Sequence, residues 1–229
     1  MGLTQTQEYY LQSMGVDVYR SKGRVIDDPV SKTEETETTS VPGSGAWSTL
    51  QNNVSACQQC ELHRGRKQTV FGVGDHNADW LIIGEAPGAE EDRQGEPFVG
   101  RAGKLLNSML LACGLQREQV FITNILKCRP PNNRDPKPEE VAACSSYLRE
   151  QIDLIQPKII LAVGRIAAQN LLQTDTPIGK MRGQQYQYAD TEIPVVVTYH
   201  PAYLLRSPRE KRKAWQDLQL AMQVYQETK

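Results

Sequence analysis

The stretch WLIIGEAPG, residues 80–88, contains the transition on which the fold depends, because a short apolar run ends abruptly in a loop rich in Gly and Pro. Three further apolar runs of β-forming residues follow, at 120–123, 158–163 and 194–198. Segments with helical periodicity separate them, at 101–113, 138–155 and 165–173. This alternation is typical of a mostly parallel sheet covered by helices. The sequence therefore predicts an α/β fold with four buried strands.

A last helix is predicted from Pro208 to about Gln226. Ser207 precedes it as a candidate N-cap, and Glu210 lies three residues after that cap, which together predict a capping box.

Unusual residues follow each predicted strand at its carboxyl end. They are the Glu85 segment after the first, Asn124 after the second, Gly164 after the third and His200-Pro201 after the fourth. Open α/β sheets bind ligands beyond the carboxyl ends of their strands, so we expect these segments to form one pocket.

The N-terminal part of the chain has a different composition. Residues 21–46 have almost no apolar periodicity and are rich in Ser, Thr, Glu, Pro and Gly, which predicts a flexible linker. Residues 1–20 are predicted to form a short element, which is either a docking segment or a tail with one nascent helix. Residues 47–229 are predicted to form the compact domain.

Composition and charge narrow the class of protein. The 229 residues are 39% hydrophobic, and no apolar run reaches the length of a membrane span. We therefore expect a soluble, cytoplasmic protein without a membrane partner. The net charge of −1 argues against a strongly electrostatic nucleic-acid binder, but the first 46 residues carry seven of the 27 acidic side chains and only four of the 26 basic ones. The remaining chain is mildly basic.

Four of the five cysteines have a spacing that indicates a metal site. Cys57 and Cys60 form a C-x-x-C pair, and Cys128 and Cys144 follow in polar or helical segments. Four thiolates suit a tetrahedral zinc or a four-iron four-sulfur cluster equally well, so the residues alone leave the metal open. Cys113 lies in an apolar helix and is predicted to be a core thiol.

Several motifs occur in an order that resembles the family 4 uracil-DNA glycosylases. They are the C-x-x-C pair, Gly84-Glu85-Ala86-Pro87-Gly88, the segment from Gly95 to Gly100, Thr123-Asn124, the run from Lys127 to Arg134, Cys144, and the segment from His200 to Arg206. The resemblance spans roughly residues 54–225. It implies a three-layer α/β/α fold with a four-stranded parallel sheet, and a 4Fe-4S cluster on Cys57, Cys60, Cys128 and Cys144.

The resemblance also implies a substrate, which is uracil-containing DNA, single- or double-stranded, acted on by a monomer. A uracil must be flipped out of the duplex before a protein can read it. Phe98 resembles the residue that stacks on the flipped base, and the Asn124 amide can pair with N3-H and O4 of uracil.

Cleavage of the N-glycosidic bond leaves negative charge on the departing uracil, so a hydrogen-bond donor is needed beside its O2 atom. His200 is the candidate for that donor. Glu85, with the backbone of Ala86 and Pro87, is expected to line the sugar side of the pocket. Several related families have a water-activating Asp at the position of Ala86. Water activation therefore either is weak here or comes from another residue, for which Glu85 and Glu91 are the candidates.

The segment after His200 resembles a loop that enters the minor groove. Leu204 or Leu205 would fill the gap left by the flipped base, and Arg206 would contact a phosphate. Tyr203 and Arg129 are further candidate DNA contacts.

Two alternatives to a turnover enzyme remain. The first is a relative that captures uracil-DNA covalently, but such relatives carry a His-containing insertion that the run 127–138 lacks. The second is a non-catalytic iron-sulfur accessory protein of replication. The sequence of residues 9–16 keeps a contact with a replication protein open as an additional role.

Overall fold

A six-stranded sheet forms the centre of the computed structural model, which describes residues 44–189 and 191–228. The strands are β1 (Val73–Gly74), β2 (Trp80–Gly84), β3 (Phe121–Asn124), β4 (Ile159–Val163), β5 (Gln185–Gln187) and β6 (Pro194–Thr198). Their order across the sheet is β1-β3-β2-β4-β6-β5. The four predicted strands are all present, and β3, β2, β4 and β6 run parallel.

The two edge strands were not predicted. β1 pairs antiparallel with β3, and β5 pairs antiparallel with β6. Both are short and partly exposed, so they lack the continuous apolar run that marks a buried parallel strand. Every residue of the four central strands is buried, as expected for a sheet with helices on both faces.

Eight α-helices accompany the sheet in the described residues. They are α1 (Ser44–Ala56), α2 (Ala89–Gln94), α3 (Arg101–Ala112), α4 (Pro138–Ile155), α5 (Arg165–Leu171), α6 (Ile178–Met181), α7 (Pro201–Arg206) and α8 (Lys211–Glu227). Short 3-10 helices lie at Glu61–Arg64, Arg117–Gln119, Pro131–Asn133 and Pro208–Glu210. No helix of residues 44–189 and 191–228 is both long and apolar enough to cross a membrane.

Two apolar clusters divide these helices between the faces of the sheet. On one face, α1, α4, α5 and α6 pack against alternate strand residues such as Leu81, Ile83 and Ile160. On the other, α3, α7 and α8 pack against the intervening residues, such as Ile82 and Leu161. The predicted three-layer α/β/α architecture is therefore confirmed.

Two predicted element boundaries need correction. Residues 208–210 form a 3-10 turn before α8, and the Ser207 side chain makes no capping hydrogen bond. Glu210 instead pairs with Lys213, with 2.9 Å between Oε2 and Nζ, which replaces the predicted capping box. At the other end, α1 begins at Ser44, so the last three residues of the predicted linker 21–46 are helical. The predictions for residues 1–43 lie outside the described residues.

Candidate active site

The central strands end at a cleft of about 760 Å³. Because β3 and β4 lie on opposite sides of β2, this edge contains the topological switch point where α/β sheets bind ligands. The volume is in the range of small-molecule sites. Eight of the ten residues predicted to contact the base or the DNA line it: Glu85, Ala86, Pro87, Phe98, Asn124, His200, Tyr203 and Arg206.

Asn124 offers the cleft an amide that no other group uses. It is the last residue of β3 and only 2% exposed, yet its side-chain amide has no hydrogen-bond partner among the described residues. Gly84, on the neighbouring strand, makes room for it: a Cβ there would lie 2.4 Å from Asn124 Oδ1 and 2.6 Å from Phe98 Cζ. The amide is therefore free to pair with a ligand.

The Phe98 loop is held from behind by Arg117. Phe98 has a φ of 54°, in the left-handed region that non-glycine residues rarely adopt. Arg117 donates from Nη2 to Pro97 O at 2.5 Å and from Nη1 to Phe98 O at 3.4 Å. Gly103 lets the loop approach α3, since a Cβ there would lie 1.7 Å from Phe98 O. These contacts fix the ring at the wall of the cleft.

Glu91 holds the same loop from the cleft side. Its Oε1 accepts from Val99 N at 3.1 Å and from Gly100 N at 3.4 Å. Glu91 is one of the candidates for activating water, and these bonds show that its carboxylate also positions the loop.

His200 is oriented by the first turn of α7. Its Nδ1 accepts from Ala202 N at 3.1 Å, so in the neutral ring the proton lies on Nε2. Its ring stacks on Phe98, with centroids 5.6 Å apart and planes at 28°. Burial and the nearby Arg206 lower the pKa of His200 to about 4, with Glu91 opposing. The imidazole is therefore neutral at physiological pH and can donate from Nε2.

Glu85 has the raised pKa expected of a proton acceptor at neutral pH. Burial and, after it, the nearby Asp135 raise the pKa of its carboxyl to about 7, while Arg165 acts in the opposite direction. Asp135 and Arg165 also line the cleft and pair with each other. At neutral pH the carboxyl is partly ionised and can take up a proton.

The four predicted DNA contacts differ in their exposure and in whether they line the cleft. Tyr203 and Arg206 lie exposed at the cleft, whereas Leu204 is 1% exposed and packs into the core beneath α7. Its burial contradicts the prediction that Leu204 enters the minor groove and leaves the half-exposed Leu205 as the candidate. Arg129 is not among the cleft residues, and its Nε donates to Asn133 Oδ1 at 2.7 Å.

The four predicted metal ligands meet at a second cavity. It is lined by Cys57, Cys60, Cys128 and Cys144, which come from the loop after α1, the loop after β3, and α4. Arg66 Nη1 donates to Cys128 Sγ at 3.1 Å and Lys127 N donates to Cys144 Sγ at 3.4 Å. Such N-H donors stabilise thiolate sulfur, so the donor set fits a four-cysteine cluster.

The four thiols line one shared cavity, and within the described residues no group of three or more His, Cys, Asp or Glu side chains is arranged to hold a metal ion. Cys113 lies outside this cavity, and burial raises the pKa of its thiol to about 11.

Comparison with known proteins places this geometry in a family. The family model described as the uracil DNA glycosylase superfamily matches residues 71–219, which include both the cleft and the Cys128 and Cys144 segments. The chain belongs to the uracil-DNA glycosylase superfamily.

Curated relatives agree with this assignment. The chain is 48% identical over 162 residues to a protein named "Type-4 uracil-DNA glycosylase" from Archaeoglobus fulgidus, an alignment that covers 68% of this chain and 81% of that protein. It is 46% identical over 170 residues to the protein of the same name from Sulfurisphaera tokodaii, covering 71% and 77%. A third, from Thermotoga maritima, is 43% identical over 159 residues, covering 69% and 82%.

Proposed function

We propose that this superfamily member is a uracil-DNA glycosylase of type 4, which hydrolyses the bond between uracil and deoxyribose in base excision repair. The observation that carries the proposal is the buried, unpaired amide of Asn124 beside the stacked rings of Phe98 and His200. The names of the relatives support it.

Asn124 would select the base. Its Oδ1 can accept from uracil N3-H and its Nδ2 can donate to O4. Cytosine reverses both groups, so it would place donor against donor and acceptor against acceptor. A flat base would lie against the Phe98 ring, which is fixed by Arg117 and Glu91.

His200 and Glu85 would then share the hydrolysis. The oxygen of water bonds to C1′ as the C1′-N1 bond breaks, and the bonding electron pair leaves with uracil. His200 Nε2-H donates to the developing negative charge on O2. The ionised Glu85 accepts the proton that the water loses, and uracil N1 later takes a proton from solvent.

The cysteine cavity would hold a 4Fe-4S cluster on Cys57, Cys60, Cys128 and Cys144. When bound, the cluster supplies a cross-link between the three segments that carry these thiols, rather than a step of the reaction. Arg66 and the Lys127 amide, which donate to two of the sulfurs, would stabilise the bound form.

The finer predictions about partners stay predictions. They are that the protein is a cytoplasmic monomer, that Arg129, Tyr203 and Arg206 contact DNA, and that residues 1–20 contact a replication protein.

The decisive experiment is base release from oligonucleotides that carry one uracil, in single strands and opposite guanine or adenine. We expect free uracil and an abasic site, and no release from matched strands carrying cytosine. A stable protein-DNA adduct without free uracil would support covalent capture instead. Binding without release or adduct would support the accessory role.

A further inference from the structure

Two tyrosines at the rim of the cleft have no part in the proposed chemistry. Tyr199 and Tyr203 both line the cleft, and their ring centroids lie 5.0 Å apart. Tyr203 is 36% exposed, unusual for a large aromatic side chain in this part of the molecule. It lies three residues beyond His200, in the same short helix α7.

A buried ion pair supports the inner tyrosine. The Arg182 guanidinium lies over the Tyr199 ring, 4.8 Å from its centroid. Asp217, which is fully buried, holds that guanidinium at two points, Nη2 to Oδ1 at 2.8 Å and Nε to Oδ2 at 3.0 Å. Thr198 Oγ1 also donates to Asp217 at 3.1 Å.

Burial of this ion pair removes two charges from water. Because that desolvation costs free energy, the pair contributes little net stability to the fold. Its geometric effect is definite, however. It holds a cation against one face of Tyr199, and Tyr199 in turn backs the exposed Tyr203. The result is a supported aromatic pair in the lining of the same cleft that contains Phe98, Asn124 and His200.

We propose that Tyr203, backed by Tyr199 and Arg182, stacks on the nucleobase next to the flipped uracil. The inference rests on the proposed function, since flipping a uracil exposes the faces of its neighbours, which need new partners. Aromatic side chains supply such partners for bases of any sequence. Arg206, exposed one turn further along α7, supplies the positive charge that the attached phosphate requires.

Leu204 supports this division of roles. It packs into the core from α7, where Pro201 is buried as well, so the helix is anchored without Tyr203. Replacing Tyr203 should therefore leave the fold intact, and its contribution to binding can be measured directly.

The test is a double-mutant cycle between the protein and the DNA. Dissociation constants are measured for single-stranded oligonucleotides that carry a non-cleavable 2′-fluoro-deoxyuridine, with adenine on both sides or with a tetrahydrofuran abasic site replacing the 5′ or the 3′ neighbour. Tyr203→Ala should weaken binding about 10-fold when both neighbours are bases. The loss should disappear when the contacted neighbour is abasic.

Two variants complete the design. Tyr203→Phe keeps the ring and should bind like the wild type. Trp215→Ala removes an aromatic side chain of similar exposure on α8, outside the cleft lining, and should show no coupling to either neighbour.

An equal loss for Tyr203→Ala on all three oligonucleotides would overturn the proposal, as would a loss for Tyr203→Phe as large as that for Tyr203→Ala. No loss for Tyr203→Ala on any of them would overturn it too. Failure of the proposed function looks different: the wild type would not prefer uracil to cytosine and would release no base, while the coupling to the neighbouring base would still be measurable.

Discussion

The cleft and the cysteine cavity share the segment at the end of β3, from Asn124 to Cys128, but their linings differ in how the polar groups are paired. In the cleft, the Asn124 amide is buried without a partner among the described residues, and Gly84 leaves space open beside it. In the cavity, Cys128 and Cys144 each receive an N-H donor and join separate segments of the chain. One site is prepared for a ligand that enters and leaves, and the other for a ligand that stays.

Lys127 lies between the two sites and connects them. Its fully buried Nζ donates to Thr123 Oγ1 at 2.6 Å, to Gln151 Oε1 at 2.6 Å and to Asn124 O at 2.8 Å. Its backbone N-H donates to Cys144 Sγ. The wall that carries the Asn124 amide is thus continuous with the wall that carries two thiols, so damage at the cavity should reach the cleft.

The largest expected effect is that of Cys128→Ser. We expect the wild type to be brown and to contain iron, and the variant to lose both, to unfold at a lower temperature and to lose base release, because the proposed cluster would join three segments. Each kcal/mol lost should lower the melting temperature by roughly 2–4 °C at this chain length. Iron content, visible absorption and thermal unfolding measure these effects.

Cys113→Ser is the matched control, since Cys113 lies outside the cavity and should leave the cluster intact. A colourless wild-type protein holding one zinc would contradict the cluster, and a Cys128→Ser variant with full iron content would contradict the assignment of that ligand.

The next largest effect is expected at the cleft itself. His200→Ala removes the proposed donor to uracil O2, and preorganised donors of this kind contribute on the order of 10²-fold or more to the chemical step. The single-turnover rate should fall by that factor, while binding to the non-cleavable analogue changes little. His76→Ala, which removes a ring packed on Trp47 away from the cleft, should cleave normally. Normal cleavage by His200→Ala would make His200 a packing residue only.

Some features of these two sites could be predicted from the sequence and others could not, and the difference has a physical reason. Strands, the cleft and the four thiols could be predicted because apolar runs, strand ends and cysteine spacing are local patterns. Arg117 could not, because it holds the Phe98 loop from 19 residues away through backbone carbonyls, and no motif marks such a contact. The inward orientation of Leu204 was equally hidden, since Leu204 and Leu205 differ only in which side of a short helix they occupy.

A smaller effect is expected for Asn124→Ala. Loss of one buried polar partner of a base costs about 1 to 3 kcal/mol, or roughly 5- to 150-fold in affinity. Binding to the uracil analogue should weaken by such a factor, and discrimination against cytosine should narrow. In contrast to His200→Ala, the loss should appear in the dissociation constant. If Asn124→Ala bound the analogue with unchanged affinity but cleaved more slowly, Asn124 would act in the chemical step rather than in base selection.

The smallest expected effect is the dependence of the single-turnover rate on pH, which arises from Glu85 in the cleft. With a carboxyl pKa of about 7, the ionised fraction of Glu85 rises from roughly a tenth at pH 6 to nine tenths at pH 8, so the single-turnover rate should rise about ten-fold over that range. His200, with a pKa of about 4, stays neutral throughout and adds no second step. The Glu85→Gln variant should cleave slowly, at a rate that does not depend on pH.

Two neighbouring charges should shift this pH profile. Because Asp135 raises the Glu85 pKa and Arg165 lowers it, Asp135→Asn should move the profile to lower pH and Arg165→Gln to higher pH. A profile that stays in place in both variants would mean that another group accepts the proton.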